Sequence, residues 1–199
     1  MEFQLKPGRV EAFSDGVFAI IVTLLVLELK VPHLIDAVSN REAFEALVDL
    51  YPKFLSFILS FIYVVIFWVN HHHFFHLITY VNRGLVWQNN MLLLCLSFIP
   101  FPTAFIGDYP KNSVGLAFFA IVLILSGVVF NLMWRHAYKK GLFNELVTPS
   151  YIAKAARVGL VGPLCYILAG ILAFVLPVIA WGIFIFIPIY YCLPNKPRN

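Results

Sequence analysis

The side chains that could do chemistry in this sequence fall into two groups. Arg9 and Asp15, near the start of the chain, could form an ion pair or relay a proton. His72, His73 and His76 are spaced so that one helix could present them to a metal ion. Because no Cys, Asp or Glu accompanies these histidines on that helix, we favour hydrogen-bonding roles for them and predict no metal site.

The composition restricts the class of protein that positions these residues. The chain has 199 residues, of which 61% are hydrophobic and 12% charged, and its mean hydropathy is +0.87. A soluble domain has about 25% charged residues, and one compact core could not bury so much apolar surface. No nucleophile–base pair or glycine-rich phosphate loop is evident in the sequence. We therefore predict an integral membrane protein that is not an enzyme, needs no cofactor and binds no nucleic acid.

The apolar stretches predict an all-α fold with six transmembrane helices in a single domain, residues 1–199. A span needs about 20 mostly apolar residues, and long segments contain no charged residue, as between Lys53 and Arg83. The last such segment is long enough for two helices, which a tight hairpin at Pro177 separates. The predicted spans are residues 9–30, 53–80, 85–106, 113–134, 156–175 and 177–193.

The first predicted helix differs from the others because it carries charges. Its uncharged core runs only from Gly16 to Leu27, and it reaches membrane length only if Arg9, Glu11 and Asp15 are included. Such charges are costly against lipid and tolerable against protein or water. We therefore expect the first helix to be central in the protein.

The Lys and Arg residues predict the orientation in the membrane. Of the 14 in the chain, ten lie on the side of the termini in the predicted topology and four on the opposite side. Because basic residues are enriched in cytoplasmic loops, both termini are predicted to be cytoplasmic. In the first outer loop, Ser39-Asn40-Arg41-Glu42 fits a capping box that begins a short amphipathic helix.

One face of the first helix carries a regular stripe of residues, separated by three or four positions. This spacing is typical of a helix that packs against copies of itself or lines an axis. The stripe is therefore either a helix–helix seam or a pore wall with a hydrophobic constriction. Ser14 and Asp15 point away from it, toward neighbouring helices. Its members are Arg9, Gly16, Ile20, Thr23, Leu27 and Lys30, with Phe13 at the edge.

Residues 9–16, Arg-Val-Glu-Ala-Phe-Ser-Asp-Gly, resemble the first-helix signature of the transmembrane protein 175 family, the endolysosomal potassium channels and their bacterial relatives. The core of this signature is an Arg followed, after three residues, by Phe-Ser-Asp. The resemblance covers the first half of the chain by motif and the second half only by helix count. It continues in Trp68-Val69-Asn70-His71-His72, in Asn89-Asn90 and in Pro100-Phe101-Pro102-Thr103-Ala104.

The resemblance implies a function and an assembly. Bacterial members of the family have one six-helix unit and assemble as tetramers, so we expect a homotetrameric potassium leak channel in a bacterial plasma membrane. Its partners would be its own copies, membrane lipid and potassium ions. Because the sequence contains no Gly-x-Gly, we expect no carbonyl selectivity filter and only modest potassium selectivity. The alternative is a small secondary transporter that uses Asp15 and Arg9.

The resemblance also implies roles for individual positions. Ile20 and Leu27 would form the pore constriction, and Thr23 would contribute to selectivity. The structural signature that would hold the first helix against its neighbours consists of Arg9, Phe13, Ser14 and Asp15. The candidates for a secondary network are Trp68, Asn70, His71, His72 and Asn89.

Overall fold

The computed structural model describes residues 6–32, 39–145 and 147–192. This part of the chain forms eight α-helices and one isolated antiparallel bridge, between Ile78 and Phe143. The helices are α1 (Gly8–Val26), α2 (Asn40–Asp49), α3 (Tyr51–His76), α4 (Arg83–Ser97), α5 (Pro100–Asp108), α6 (Ser113–Lys139), α7 (Pro149–Leu172) and α8 (Pro177–Cys192).

The lengths and compositions of these helices confirm an all-α protein with several apolar helices able to cross a membrane. Four stretches are long and apolar enough to span one: α3, the segment Arg83–Asp108 that contains α4 and α5, α6, and α7. The helix α8 is apolar but shorter. The helix α1 has 19 residues and carries three charges in its first half, at Arg9, Glu11 and Asp15.

Two prolines explain why the segment Arg83–Asp108 is divided into α4 and α5. Pro100 and Pro102 have no N–H and cannot donate to the carbonyl four residues earlier. Before them, the N–H of Ile99 bonds to the carbonyl of Leu96, three residues back, at 3.0 Å. Regular helix resumes with Pro100 in the first turn of α5, and both prolines are buried.

At one end of the bundle, five helix ends lie together, those of α1, α3, α4, α6 and α7. His72 Nδ1 on α3 lies 2.9 Å from Glu11 Oε1 on α1. His136 Nε2 on α6 lies 3.0 Å from Asn82 Oδ1, the N-cap of α4. The start of α7 joins them through its Tyr151, described below. We call this the basic end, because it carries Arg9, Arg83, Arg135, Lys139, Lys140, Lys154 and Arg157.

At the opposite end of the bundle, the start of α3 meets the end of α5. Lys53 Nζ lies 2.6 Å from Asp108 Oδ1. On the same side, Trp181 near the start of α8 donates from Nε1 to the carbonyl of Pro110 at 2.7 Å. The helices thus run alternately up and down between two polar ends.

Several helix bounds differ from the predicted spans, and α3 and α6 end at His76 and Lys139 rather than at residues 80 and 134. The first helix ends at Val26 rather than at residue 30, and the N–H of Leu27 bonds to carbonyls in the preceding turn. The helix α7 begins at Pro149 rather than at residue 156, because Thr148 caps it and its Oγ1 accepts the N–H of Tyr151 at 3.3 Å. The predicted hairpin between α7 and α8 is present at residues 173–176.

The predicted capping box of the outer loop is confirmed. Ser39 Oγ accepts the N–H of Glu42 at 3.3 Å, and Glu42 Oε2 accepts the N–H of Ser39 at 2.9 Å. The bond from the Ser39 N–H first, and then a bond of 2.8 Å that the Ser39 hydroxyl donates to Glu42 Oε2, hold the pKa of the exposed Glu42 carboxyl below its usual range. They begin α2, whose Phe44 and Leu47 are exposed beside its charged residues.

Buried hydroxyl groups join α3 to its neighbours in the core. Tyr63 Oη donates to the carbonyl of Phe184 on α8 at 2.8 Å. Ser60 Oγ and Thr103 Oγ1, on α3 and α5, are 2.7 Å apart. Because buried polar groups are costly without partners, these two bonds determine how α5 and α8 sit against α3.

Gly127 allows α6 and α7 to approach closely. A Cβ atom at this position would lie 2.6 Å from Cγ of Pro163, a rigid ring in the middle of α7. We expect Gly127→Val to lower the free energy of unfolding by about 1–3 kcal/mol, because overpacking forces the helices apart. Thermal denaturation of the purified protein in detergent measures the effect.

The matched control is Gly182→Val on α8, where a Cβ atom would meet nothing within 4 Å. Both variants add the same side chain to a helix and differ only in what surrounds it. Equal melting temperatures for the two variants would contradict the role assigned to the contact between Gly127 and Pro163.

Candidate functional site

One face of α1 is packed into the bundle. Ser14, Phe18, Ile21 and Leu25 are each at most 2% exposed, and α1 contacts α3, α4 and α5. These four residues are spaced by three or four positions, as required for one side of a helix. The rotation of α1 about its own axis is therefore determined by packing along its whole length.

The opposite face of α1 is the stripe identified in the sequence. Ile20 is 58% exposed and Leu27 67% exposed in the single chain, although both side chains are apolar. Gly16 lies between Arg9 and Ile20 on this face, and a Cβ atom there would meet nothing within 4 Å. An uncovered apolar stripe of this kind marks a surface that packs against a partner, contacts lipid or lines an opening. All the stripe residues are exposed, namely Arg9, Gly16, Ile20, Thr23, Leu27 and Lys30, with Phe13 at the edge.

Thr23 is the one hydroxyl on this stripe. Its Oγ1 donates back to α1, with the carbonyl of Ile20 at 2.9 Å and that of Ala19 at 3.1 Å. A hydroxyl has one proton and two lone pairs, so donation to its own helix leaves an acceptor oxygen on the exposed face. This oxygen can accept a hydrogen bond from water or contact a cation.

Behind the stripe, a buried chain of hydrogen bonds connects α1, α4 and α3. Asn89 Nδ2 on α4 donates to Ser14 Oγ at 2.9 Å, and Ser14 Oγ donates to the carbonyl of Val10 at 2.8 Å. His71 Nε2 on α3 lies 2.8 Å from Asn89 Oδ1. Because an amide oxygen only accepts, this bond assigns the ring proton of the neutral histidine to Nε2. Ser14, His71 and Asn89 are each fully buried.

His71 packs against two aromatic rings. Its ring lies edge-on to Phe18 with centroids 5.3 Å apart, and the centroid of Phe75 is 4.6 Å away. Its Nδ1 atom is buried and has no hydrogen-bond partner among the described residues. The imidazole is thus held in one orientation by a single hydrogen bond and by two ring contacts.

A second set of contacts links the acids of α1 to α3 near the basic end. Asp15 Oδ1 accepts from Trp68 Nε1 at 2.9 Å, and Glu11 Oε1 lies 2.9 Å from His72 Nδ1. The rings of Trp68 and His72 are stacked with centroids 6.1 Å apart. The side-chain partner of Asp15 is therefore Trp68, and the structure does not bring Arg9 to it.

Most residues of the predicted network are brought together, with one exception. Trp68, His71, His72 and Asn89 all contact α1 directly or through one neighbour. Asn70 does not, since its Nδ2 donates to the carbonyl of Ile66 on its own helix at 2.8 Å. The reason is its position on α3, where it faces α6 and α7 rather than α1.

The remaining histidines of α3 do not converge on one point. His73 Nε2 lies 2.6 Å from Tyr151 Oη on α7, on a side of α3 different from that of His71. Within residues 6–32, 39–145 and 147–192, no three His, Cys, Asp or Glu side chains are grouped as metal ligands. His71, His72 and His73 contact α4, α1 and α7 in turn, because consecutive residues of a helix point about 100° apart.

Glu11 is a partner of His72 that was not among the predicted site residues. The signal was present, since Glu11 and Asp15 are four residues apart on α1, as are Trp68 and His72 on α3. Residues four apart share a helix face. Two such pairs on packed helices can therefore form two parallel contacts.

Comparison with known proteins identifies the family. The pattern of the family described as "Endosomal/lysosomal potassium channel TMEM175" matches residues 9–100. A protein of Chamaesiphon minutus named a potassium channel is 35% identical over 198 residues, 97% of this chain and 97% of its own length. This chain belongs to the TMEM175 family. The motif resemblance of the first half is thus confirmed and extends over nearly the whole chain.

Two further relatives agree with this assignment to the TMEM175 family. A potassium channel of a Chryseobacterium species is 34% identical over 192 residues, 96% of this chain and 95% of that protein. The crystal structure of a lysosomal potassium-selective channel TMEM175 homolog from Chamaesiphon minutus superposes with a TM-score of 0.82 at 34% identity. It covers 93% of this chain and 95% of the other. The fold described above is therefore the TMEM175 fold.

Asn89 is the centre of the buried network in this TMEM175 protein. We expect Asn89→Ala to lower the free energy of unfolding by about 1–3 kcal/mol, because His71 Nε2 would lose its buried partner. Thermal denaturation in detergent measures the loss. The neighbouring substitution Asn90→Ala, at an exposed position, removes the same side chain outside the network. If the two variants melt at the same temperature, the network does not hold α1.

Proposed function

We propose that the protein is a potassium-selective cation channel in which α1 from each of four copies lines the pore. The observation that carries this proposal is the exposed stripe of Ile20, Thr23 and Leu27 on a helix whose other face is fully buried. The relatives named potassium channels that match nearly the full length of the chain support it. As proposed, the protein is a leak channel without a cofactor or an enzyme activity.

A ring of copies explains why the stripe is uncovered in one chain. A single helix cannot enclose a pore, whereas cyclic symmetry places the same face of every copy toward one axis. Four copies are the number that the family resemblance implies. In this arrangement Ser14 and Asp15 of the signature position α1, while the stripe, with Arg9 in it and Phe13 at its edge, faces the axis. Ser14 and Asp15 act through their contacts with α3 and α4 rather than on the ion.

The chemistry of the stripe supports a hydrophobic constriction with one polar layer. Rings of Ile20 and Leu27 offer no ligand to an ion, so such a constriction conducts only while it is wet. Thr23 lies between these rings and presents an acceptor oxygen. A larger, more weakly hydrated potassium ion loses water more readily than sodium, and this layer can favour it modestly.

The pattern of helix ends supports six membrane spans, formed by α1, α3, α4 with α5, α6, α7 and α8. In this topology the basic end faces the cytoplasm of a bacterial cell, because Lys and Arg are enriched on that side of plasma membranes. Both chain termini then lie in the cytoplasm, and α2 lies on the outer surface.

Cysteine labelling in intact cells tests this orientation. Lys111→Cys and Lys140→Cys place matched thiols at exposed positions on the two ends. A membrane-impermeant maleimide is expected to label position 111 and not position 140, and the wild-type chain gives the background of the native cysteines. Labelling of position 140 from outside would contradict the proposed topology.

Conductance tests the assignment of Ile20. We expect Ile20→Asn to raise single-channel conductance, because a polar side chain keeps the constriction wet. The control Val26→Ala changes an exposed residue of α1 next to Leu27 and about 100° around the helix from it. Planar-bilayer recording of the purified protein measures both variants.

Reversal potentials test the assignment of Thr23. Thr23→Ala removes the hydroxyl from all four copies, and loss of even one oxygen contact worth about 1 kcal/mol is expected to lower the potassium-over-sodium permeability ratio at least about fivefold. Thr23→Ser keeps the hydroxyl and is expected to retain the ratio. If Ile20→Asn leaves conductance unchanged and Thr23→Ala leaves the bi-ionic reversal potential unchanged, α1 is a packing seam and does not line the pore.

A further inference from the structure

A cavity of about 360 Å³ lies between α3, α6 and α7, with Tyr191 of α8 at its edge. No residue of α1 is among the described residues that line it, so it is separate from the proposed pore. Its volume falls in the range of small-molecule sites, about 300–1,000 Å³. The cavity exists because α6 packs closely on α7 at Gly127, whereas aromatic side chains separate α3 from α6 at Phe74 and Phe130 and from α7 at Tyr63 and Tyr166.

The interior of the cavity is mainly apolar and aromatic, and the Nδ2 atoms of its two asparagines, Asn70 and Asn131, donate to carbonyls of their own helices. Phe67, Phe130 and Trp134 contribute rings to its wall. Two of the lining tyrosine hydroxyls are bonded to backbone carbonyls, since Tyr63 donates to that of Phe184 on α8 at 2.8 Å and Tyr191 to that of Val158 at 3.0 Å. The interior therefore favours a hydrocarbon group over a polar ligand.

The mouth of the cavity has the opposite chemistry. His73 and Tyr151 meet there at 2.6 Å, and Lys154 lies one turn further along α7. Among the described lining residues there is no Asp or Glu, and Lys154 forms no ion pair within the part of the chain that the structure describes. The exposed ammonium group thus attracts an anion.

The length of the cavity matches one leaflet of a bilayer. Along α3 it extends from His73 at the mouth to Tyr63, ten residues deeper (73 − 63), which corresponds to about 15 Å of helix. The hydrocarbon core of a bilayer is about 30 Å thick. A single acyl chain that enters from the basic end would therefore reach the bottom of the cavity at the middle of the membrane.

We propose that this cavity holds one acyl chain of an anionic phospholipid from the leaflet at the basic end, with Lys154 binding its phosphate. The bond between His73 Nε2 and Tyr151 Oη uses one proton of this pair, and the proton that remains can be donated to the headgroup. The surrounding bilayer supplies the ligand. The proposal requires neither the pore nor the tetramer, so its failure would leave the proposed channel function untouched.

Fluorescence quenching tests the proposal, because Trp134 lines the cavity whereas the other three tryptophans do not. The purified protein in detergent is titrated with phosphatidylglycerol whose acyl chains carry bromine, a short-range quencher of indole fluorescence. The difference between the wild-type protein and Trp134→Phe isolates the signal of the cavity. We expect saturable quenching of this signal by phosphatidylglycerol and weaker quenching by phosphatidylcholine with the same chains.

Two substitutions and one control variant assign the quenching to the cavity. Lys154→Gln is expected to raise the half-saturating concentration of brominated phosphatidylglycerol about fivefold, as for loss of one basic contact at a membrane surface. Arg157→Gln removes a charge three residues along the same helix, at an exposed position that does not line the cavity, and is expected to leave it unchanged. Ala155→Phe fills the cavity and is expected to abolish quenching of Trp134.

Three results would overturn the proposal. Equal quenching by phosphatidylcholine and phosphatidylglycerol would show that the headgroup charge is not recognised. Stronger binding of brominated stearate than of phosphatidylglycerol would make the occupant a free fatty acid. If Lys154→Gln and Arg157→Gln behave alike, Lys154 does not bind the headgroup, and this comparison holds even where Ala155→Phe does not fold.

Discussion

The buried hydrogen bonds from Ser14 through Asn89 to His71 determine how α1 is rotated in the bundle. Each of these groups is withdrawn from solvent, and rotation of α1 would leave polar atoms buried without partners. Because consecutive residues of a helix point about 100° apart, holding Ser14 inward also holds Ile20 and Leu27 outward. The exposed stripe is therefore a consequence of the network on the other face of the same helix.

The same packing explains how α1 carries acids within a membrane protein. Trp68 and His72 on α3 present their ring nitrogens to Asp15 and Glu11 at matching spacings of four residues. A carboxylate with a donor beside it is far less costly than one that faces lipid. These contacts lie at the basic end, so they hold the first half of α1 and leave the apolar second half free to form the proposed constriction.

The distances between the other helices are unequal, and this difference creates the cavity. Gly127 lets Pro163 approach α6 closely, whereas aromatic side chains such as Phe74, Phe130 and Trp134 keep α3 at a distance from α6. Close-packed interiors leave few voids, so a cavity that reaches from a basic mouth to mid-membrane calls for an occupant. The protein thus holds α1 firmly against α3 and α4 and leaves a cavity between α3, α6 and α7.

The sequence by itself determined the membrane class, the helical fold, the stripe on α1 and the family, because apolar length, helical period and a short motif are all local properties. It also placed the capping box of α2 and the hairpin before α8. Only the tertiary structure decided that Asp15 bonds to Trp68 rather than pairs with Arg9, that Asn70 lies outside the network, and that Lys154 and Trp134 share a cavity. These facts depend on the rotation and spacing of helices that are far apart in the chain, and packing between distant residues sets both.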